Sequence, residues 1–177
     1  MAEWVSHVCL AYALFTTVGW YVDWLDRRWV VVGIVGSVLP DLDRLELVVS
    51  GDLITAVTGV PFEWYGINTI GGTVVLSAVG ALLFERHSDR RRGFLLLVTG
   101  GLSHLLVDLP QRYADGLMLT NKYLFPLPPW RPPTPGWYVS ADRWVVVAAL
   151  LVALVVFGVD RYRTPDPQPV MSERADQ

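Results

Sequence analysis

Apolar residues in this chain run in long blocks rather than in a short alternation. Between Glu3 and Asp23 lie 19 residues without Asp, Glu, Lys or Arg; between Glu63 and Glu85 lie 21, between Arg92 and Asp108 15, and between Arg143 and Asp160 16. A helix that crosses a bilayer needs about 20 mainly apolar residues, with a range of about 17–25. The first two blocks reach that length directly. The last two reach it once a turn at each end enters the headgroup layer. A further block, 29–40, has only 12 residues, about 18 Å as a helix, which suits a half-span. The pattern predicts helices at 4–22, 28–40, 65–85, 93–109 and 143–160. Segments 23–27, 41–64, 86–92 and 110–142 connect them. Glycine and β-branched residues inside the blocks ("TIGGTVVLSAVGALL") would weaken a helix in water. In lipid the backbone must satisfy its own hydrogen bonds, and helix still wins.

Composition points the same way. Hydrophobic residues make up 53% of the 177 and charged residues 18%, too little polar surface to cover so many apolar blocks in a soluble fold. The expected fold is therefore all-α: an integral membrane bundle of about five helices, one short, with residues 1–160 as a single domain and 161–177 as a polar tail. The first block lacks the basic n-region of a cleavable signal, since its only early charge is Glu3, so it and His7 are expected to stay in the mature chain. Cys9 is the single cysteine and cannot form an internal disulfide. A net charge of −3 does not suggest nucleic acid as a partner.

Arg and Lys set the expected orientation. Five crossings put Arg27, Arg28, Arg86, Arg90, Arg91, Arg92, Arg161, Arg163 and Arg174 on one side. Arg44, Arg112, Lys122, Arg131 and Arg143 fall on the other. The amino terminus is then outside and the carboxyl terminus cytoplasmic, in a multi-pass protein of the cell membrane. The long 110–142 connection contains "LFPLPPWRPPTPGWY", which proline excludes from regular helix. Trp130, Trp137, Tyr138 and Trp144 suit the headgroup layer, and the segment reads either as a passive surface wrap or as a lid over a site.

The informative residues are polar ones in apolar surroundings. His104 and Asp108 in "GGLSHLLVDLP" are four apart and share one helix face; ionisable groups inside a membrane helix are functional candidates by default. The bland alternative is a neutral histidine bonded to a neighbouring helix beside a carboxylate at the water boundary. The topology gathers more polar residues at that same outer end: His7, Asp41 and Asp43 of "GSVLPDLD", and Asn68 and Thr69. His and carboxylate ligands are what a Zn²⁺ or Mn²⁺ site uses. Such an ion lowers the pKa of its water to about 7, and an Asp left off the metal can serve as general base. Asp43 also fits a capping box with Glu46 in "DRLE", so Asp41 is the better ligand candidate of the two. His87, in the charged inner loop, reads as an ordinary solvated histidine.

"VSHVCLAYAL" with His7, "GSVLPDLD" with Asp41 and Asp43, and "GGLSHLLVDLP" with His104 and Asp108 together resemble the membrane-bound, metal-dependent hydrolase family, whose bacterial members include LexA-regulated inner-membrane proteins. The likeness covers nearly the whole chain in order. It implies hydrolysis of a phosphoester, lipid-linked or otherwise, by a metal held on His7, Asp41, His104 and Asp108, with Asp43 as base and Asn68 and Thr69 near the substrate. One element departs from the family: where a His-Arg-x-x-Thr-His-Ser motif is expected, the chain reads "INTIGGT", with Ile67 and Gly72 in the histidine positions. The rival expectation is a catalytically degenerate, non-enzymatic membrane protein whose polar cluster is structural or binds lipid or a partner protein. A transporter fits less well, because the charges gather at one face and not at the midplane.

Overall fold

The computed structural model describes residues 2–112, 135–139 and 142–163. The described chain is helical, and its helices run alternately up and down. Helix α1 is Ala2–Gly19 and α2 is Arg27–Val38. A 3-10 helix, Leu39–Leu47, continues from α2, and the short α3 follows at Gly51–Thr58. A second 3-10 turn, Trp64–Ile67, leads into α4 at Ile70–Ala81. Helix α5 is His87–Asp108 and α6 is Arg143–Arg163. Two-residue strands β1 (Gln111–Arg112) and β2 (Tyr138–Val139) pair in parallel, Gln111 opposite Tyr138. They join the end of α5 to the approach to α6.

The five expected helices are present, with shifted ends that have local causes. Asp26 accepts from the backbone N–H groups of Arg28 and Trp29 and so starts α2. Pro40 lacks a donor, and the chain tightens into 3-10 geometry at Leu39 instead of extending α2 to residue 40. The expected 65–85 helix is shorter. Thr69 accepts from Gly72 N at 3.0 Å and so opens α4 only at Ile70. Conversely α5 begins six residues earlier than the expected 93, because the "HSDRRR" segment is itself helical. The capping box expected at Asp43 is not formed: Asp43 lies inside the 3-10 helix, whose preceding cap residue is Val38. The centre of the 110–142 connection, with Trp130, and the tail beyond Arg163 lie outside the described residues. Within the described part, Trp137 and Trp144 are exposed and Tyr138 is buried.

The packing is built on small and polar residues. Helices α2 and α5 cross with almost no side-chain spacing: a Cβ on Gly100 would overlap the Gly33 carbonyl oxygen and come within 2.7 Å of Ser37 N. Thr69, Thr73, Ser77 and Ala81 recur every four residues at the start and along one face of α4, all buried. Thr73 packs at Gly101 of α5. A more usual apolar cluster (Ala11, Phe15, Leu25, Val30 and Leu96) fills the opposite half between α1, α2 and α5. Outward-facing positions are apolar instead: Val31, Val35, Val75, Val79, Leu83 and Leu106 are all exposed. Helix α6 lies on α1 and buries only Ala149, while Leu150, Leu151, Leu154, Val155 and Phe157 are exposed. This 21-residue helix is long and apolar enough to cross a membrane.

Candidate metal centre

Three separate segments deliver four polar side chains to one end of the bundle. His7 comes from the first turns of α1, Asp41 from the 3-10 helix after α2, and His104 and Asp108 from the last turn and a half of α5. His104 is 1% exposed, His7 4% and Asp41 6%, so a cluster of ionisable groups lies dry in the interior. Groups of this kind are costly to bury unless paired or bound to an ion.

Their mutual geometry is close. The imidazoles of His7 and His104 stack, with centroids 3.7 Å apart and planes inclined by 19°. Asp108 reaches both rings: its Oδ1 is 3.2 Å from His7 Nε2 and its Oδ2 is 3.2 Å from His104 Nε2. Asp41 Oδ2 lies 3.8 Å from His104 Nδ1. One ligand atom from each of His7, Asp41 and His104 falls within 4.8 Å of the others. Asp108 stands beside that three-residue group as the carboxylate shared by its two histidines.

Several donor atoms are left without a hydrogen bond in this dry place. His104 Nδ1 is 2.8 Å from the Ser37 carbonyl oxygen. A carbonyl only accepts, so that contact places a proton on Nδ1. In the neutral ring Nε2 then carries a lone pair, and it points at a carboxylate without hydrogen-bond alignment. His7 Nδ1 and Asp41 Oδ2 are buried and also lack hydrogen-bond partners. Two lone pairs facing each other need a positive charge between them or a second proton on the ring. A divalent cation would satisfy His7, Asp41 and His104 together, and the donor set of two imidazoles and a carboxylate matches Zn²⁺ or Mn²⁺ chemistry.

The two carboxylates of "PDLD" are separated by the 3-10 geometry. Asp41 faces the histidines and also takes Arg44 Nε at 3.3 Å. Asp43 turns to Asn68, whose Nδ2 donates to its Oδ2 at 3.3 Å. Burial pushes the Asp43 carboxyl above the usual carboxylate range; the Asn68 hydrogen bond opposes this and the neighbouring Asp41 adds to it. Thr69 is fully buried, and its hydroxyl both donates to Gly66 O and accepts from Gly72 N. It therefore works as the cap of α4 in this conformation. His87 is exposed at the start of α5, well away from the cluster.

Three contributors carry no sequence signal for the parts they play here. Ser37 is fully buried, and its backbone carbonyl holds the His104 ring, a role any residue type could fill. Gln111, in β1, donates through Nε2 to Asp108 Oδ1, and Tyr138 in β2 donates its hydroxyl to the Val107 carbonyl. The β1–β2 pair thus closes the end of α5 over the cluster. Between α1 and α5, a crevice of about 270 Å³ is lined by His7, Leu10, Leu14, Ser103, Leu106 and Val107.

The "INTIGGT" segment, where the resemblance led one to expect histidines, is closely packed. A Cβ on Gly72 would overlap the Gly66 carbonyl oxygen and lie 2.6 Å from the Ile67 carbonyl oxygen. The turn before α4 is packed where a histidine side chain would have to leave the backbone. Gly72→His is therefore expected to lower stability by about 1–3 kcal/mol and to add no bound ion relative to the parent, as read by a melting curve and metal analysis.

No protein-family model, curated protein or solved structure matches this chain.

Proposed function

We propose that this protein is a multi-pass membrane hydrolase in which His7, Asp41 and His104 hold one divalent ion and a phosphoester, lipid-linked in the simplest case, is the substrate. The observation that carries the reading is the buried His7–Asp41–His104 group, in which one ligand atom from each residue lies within 4.8 Å of the others. Membrane insertion is supported by the inverted distribution of the bundle, polar and small inside and apolar outside, with α6 almost bare. Zn²⁺ or Mn²⁺ held there would supply Lewis acidity toward a phosphoryl oxygen and a lowered pKa for water.

The chain's own groups then have separable tasks. Asp108 orients both imidazoles, and the Ser37 carbonyl fixes the His104 tautomer. Asp43 stands off the three-residue group, and its buried Oδ1 has no hydrogen-bond partner, which suits it to take a proton from the attacking water. Asn68 holds the other Asp43 oxygen in place. The α1–α5 crevice opens among exposed leucines and leads to His7, a path for an amphiphile arriving within the bilayer. The likeness to membrane-bound, metal-dependent hydrolases rests on these same residues. The cluster lies at the end poor in arginine, so the positive-inside tendency puts it on the outer side, with the carboxyl terminus cytoplasmic.

The test is turnover of bis-p-nitrophenyl phosphate and of a short-chain phospholipid by the detergent-solubilised protein loaded with Zn²⁺ or Mn²⁺. Asp43→Asn is expected to reduce the rate by about 10²–10⁴-fold while ion binding persists. Equal rates in the two proteins would remove Asp43 from the chemistry. A second reading is favoured by the Gly72 packing and the missing histidines: a non-enzymatic relative whose His–Asp–His contacts fasten α1 to α5. That protein would retain no ion after dialysis.

A further inference from the structure

The opposite end of the bundle has its own cavity, about 700 Å³ in volume and open along one side. This is within the range of about 300–1,000 Å³ typical of small-molecule sites. Its floor is α1 with Tyr12 and Thr16, continued by Trp20 in the turn that follows. One wall is α2, the other α6. The walls change character along their length. Toward the bundle centre they present Val30, Val31, Ile34 and Phe157; at the end they present Arg27, Arg161 and Arg163.

Three guanidinium groups share this end with two carboxylates, and Arg161 also lies over the Phe157 ring, 5.7 Å from its centroid. Asp26 caps α2. Asp160 accepts from Trp20 Nε1 at 3.0 Å and lies 3.9 Å from Arg27 Nη2. Arg163 sits over the Trp20 ring, 5.0 Å from its centroid, so its charged head is held at the cavity mouth. The whole end is basic: Arg27, Arg28, Arg86, Arg90, Arg91, Arg92, Arg161 and Arg163 face Asp23, Asp26, Glu85, Asp89 and Asp160. The candidate metal end is acidic by comparison.

We infer that this groove between α1, α2 and α6 binds one anionic phospholipid, its phosphate on Arg27, Arg161 and Arg163 and an acyl chain along Val30, Val31, Ile34 and Phe157. Charge complementarity selects the headgroup, since guanidinium pairs well with phosphate. The graded wall, basic at the end and apolar toward the middle, selects an amphiphile over a free anion. Basic pockets between membrane helices on the cytoplasmic side are where anionic headgroups lodge. The inference rests on the membrane reading above, and is independent of the metal and of hydrolysis.

The test uses the full-length protein. Carbonate extraction of membranes first establishes insertion. Native mass spectrometry of the detergent-solubilised protein then compares dioleoyl phosphatidylglycerol, dioleoyl phosphatidylcholine and inorganic phosphate. One phosphatidylglycerol should be retained in preference to phosphatidylcholine, and phosphate should not displace it. Arg27→Gln and Arg161→Gln should each weaken phosphatidylglycerol binding by about fivefold. Because Arg27 also meets Asp160, Val31→Trp gives a second probe. Val31 is 56% exposed, so the larger ring is tolerated, fills the groove with every arginine intact, and should weaken binding as strongly. Release of the protein by carbonate would overturn both the membrane reading and the lipid site. An inserted protein that binds the two lipids equally, or whose variants bind like the parent, would overturn the lipid site alone.

Discussion

Replacing His104 by alanine is expected to abolish divalent-ion binding. Outer-shell partners of a metal ligand are typically worth about 10–100-fold in affinity, so loss of a ligand should cost at least about 100-fold. His104 is the hub of the cluster: it stacks on His7, meets Asp108 and Asp41, and is held by Ser37. The same substitution leaves Asp108 and the Ser37 carbonyl short of a partner, at a cost of about 1–3 kcal/mol. His104→Asn separates the two effects. Its amide can still donate to the Ser37 carbonyl, so much of the stability should return while ion affinity, measured by titration calorimetry with Zn²⁺, should not. If His104→Asn bound Zn²⁺ like the parent, the assignment of His104 as a ligand would fail.

Gly100→Leu should have the largest effect on the fold. The backbone of α2 occupies the space that even a Cβ would need, through Gly33 O and Ser37 N. No rotamer change relieves a clash with backbone, so the two helices must separate. Overpacking of this kind typically costs about 1–3 kcal/mol, and the site lies at the upper end or beyond because both neighbours are main chain. The damage should also reach the cluster, since Ser37 lies at that crossing and positions His104. A fall in melting temperature together with weakened Zn²⁺ binding is the expected pair of results. Weakened binding with an unchanged melting curve would mean that the α2–α5 approach is looser than described. Leu106→Ala, at an exposed position on the outer face of α5, should change neither.

The positions of the helices were legible in the charge-free blocks, because length and the absence of charge are properties of contiguous sequence. Their ends were less so. The start of α4 depends on the Thr69 cap rather than on hydropathy, and the early start of α5 puts a run of arginines into helix. The short α3, Gly51–Thr58, lies further along the 41–64 connection than the short helix that the capping box at Asp43 implied. At the site, His7, Asp41, His104 and Asp108 could be nominated because ionisable groups stand out in apolar surroundings. Their convergence followed from the alternating direction of the helices. The separation of Asp41 from Asp43 needed the 3-10 geometry after Pro40, and the parts played by the Ser37 carbonyl and by Gln111 needed coordinates. A backbone carbonyl has no sequence signature, and Gln111 is far commoner as a surface residue.

The "INTIGGT" segment is itself closely packed. Gly66, Ile67 and Gly72 form a tight turn whose backbone fills the space that a side chain at position 72 would need. Thr69 uses that turn to cap α4, and Asn68 reaches from it to Asp43. That arrangement is compatible with one ion held by His7, Asp41 and His104.

The most direct measurement is the metal content of the purified, detergent-solubilised protein after reconstitution with Zn²⁺ or Mn²⁺ and dialysis. About one ion per chain, lost in His104→Ala, is the predicted result for a three-ligand site of this kind. No retained ion with either metal would contradict the central claim and leave the cluster as an internal fastening between α1 and α5.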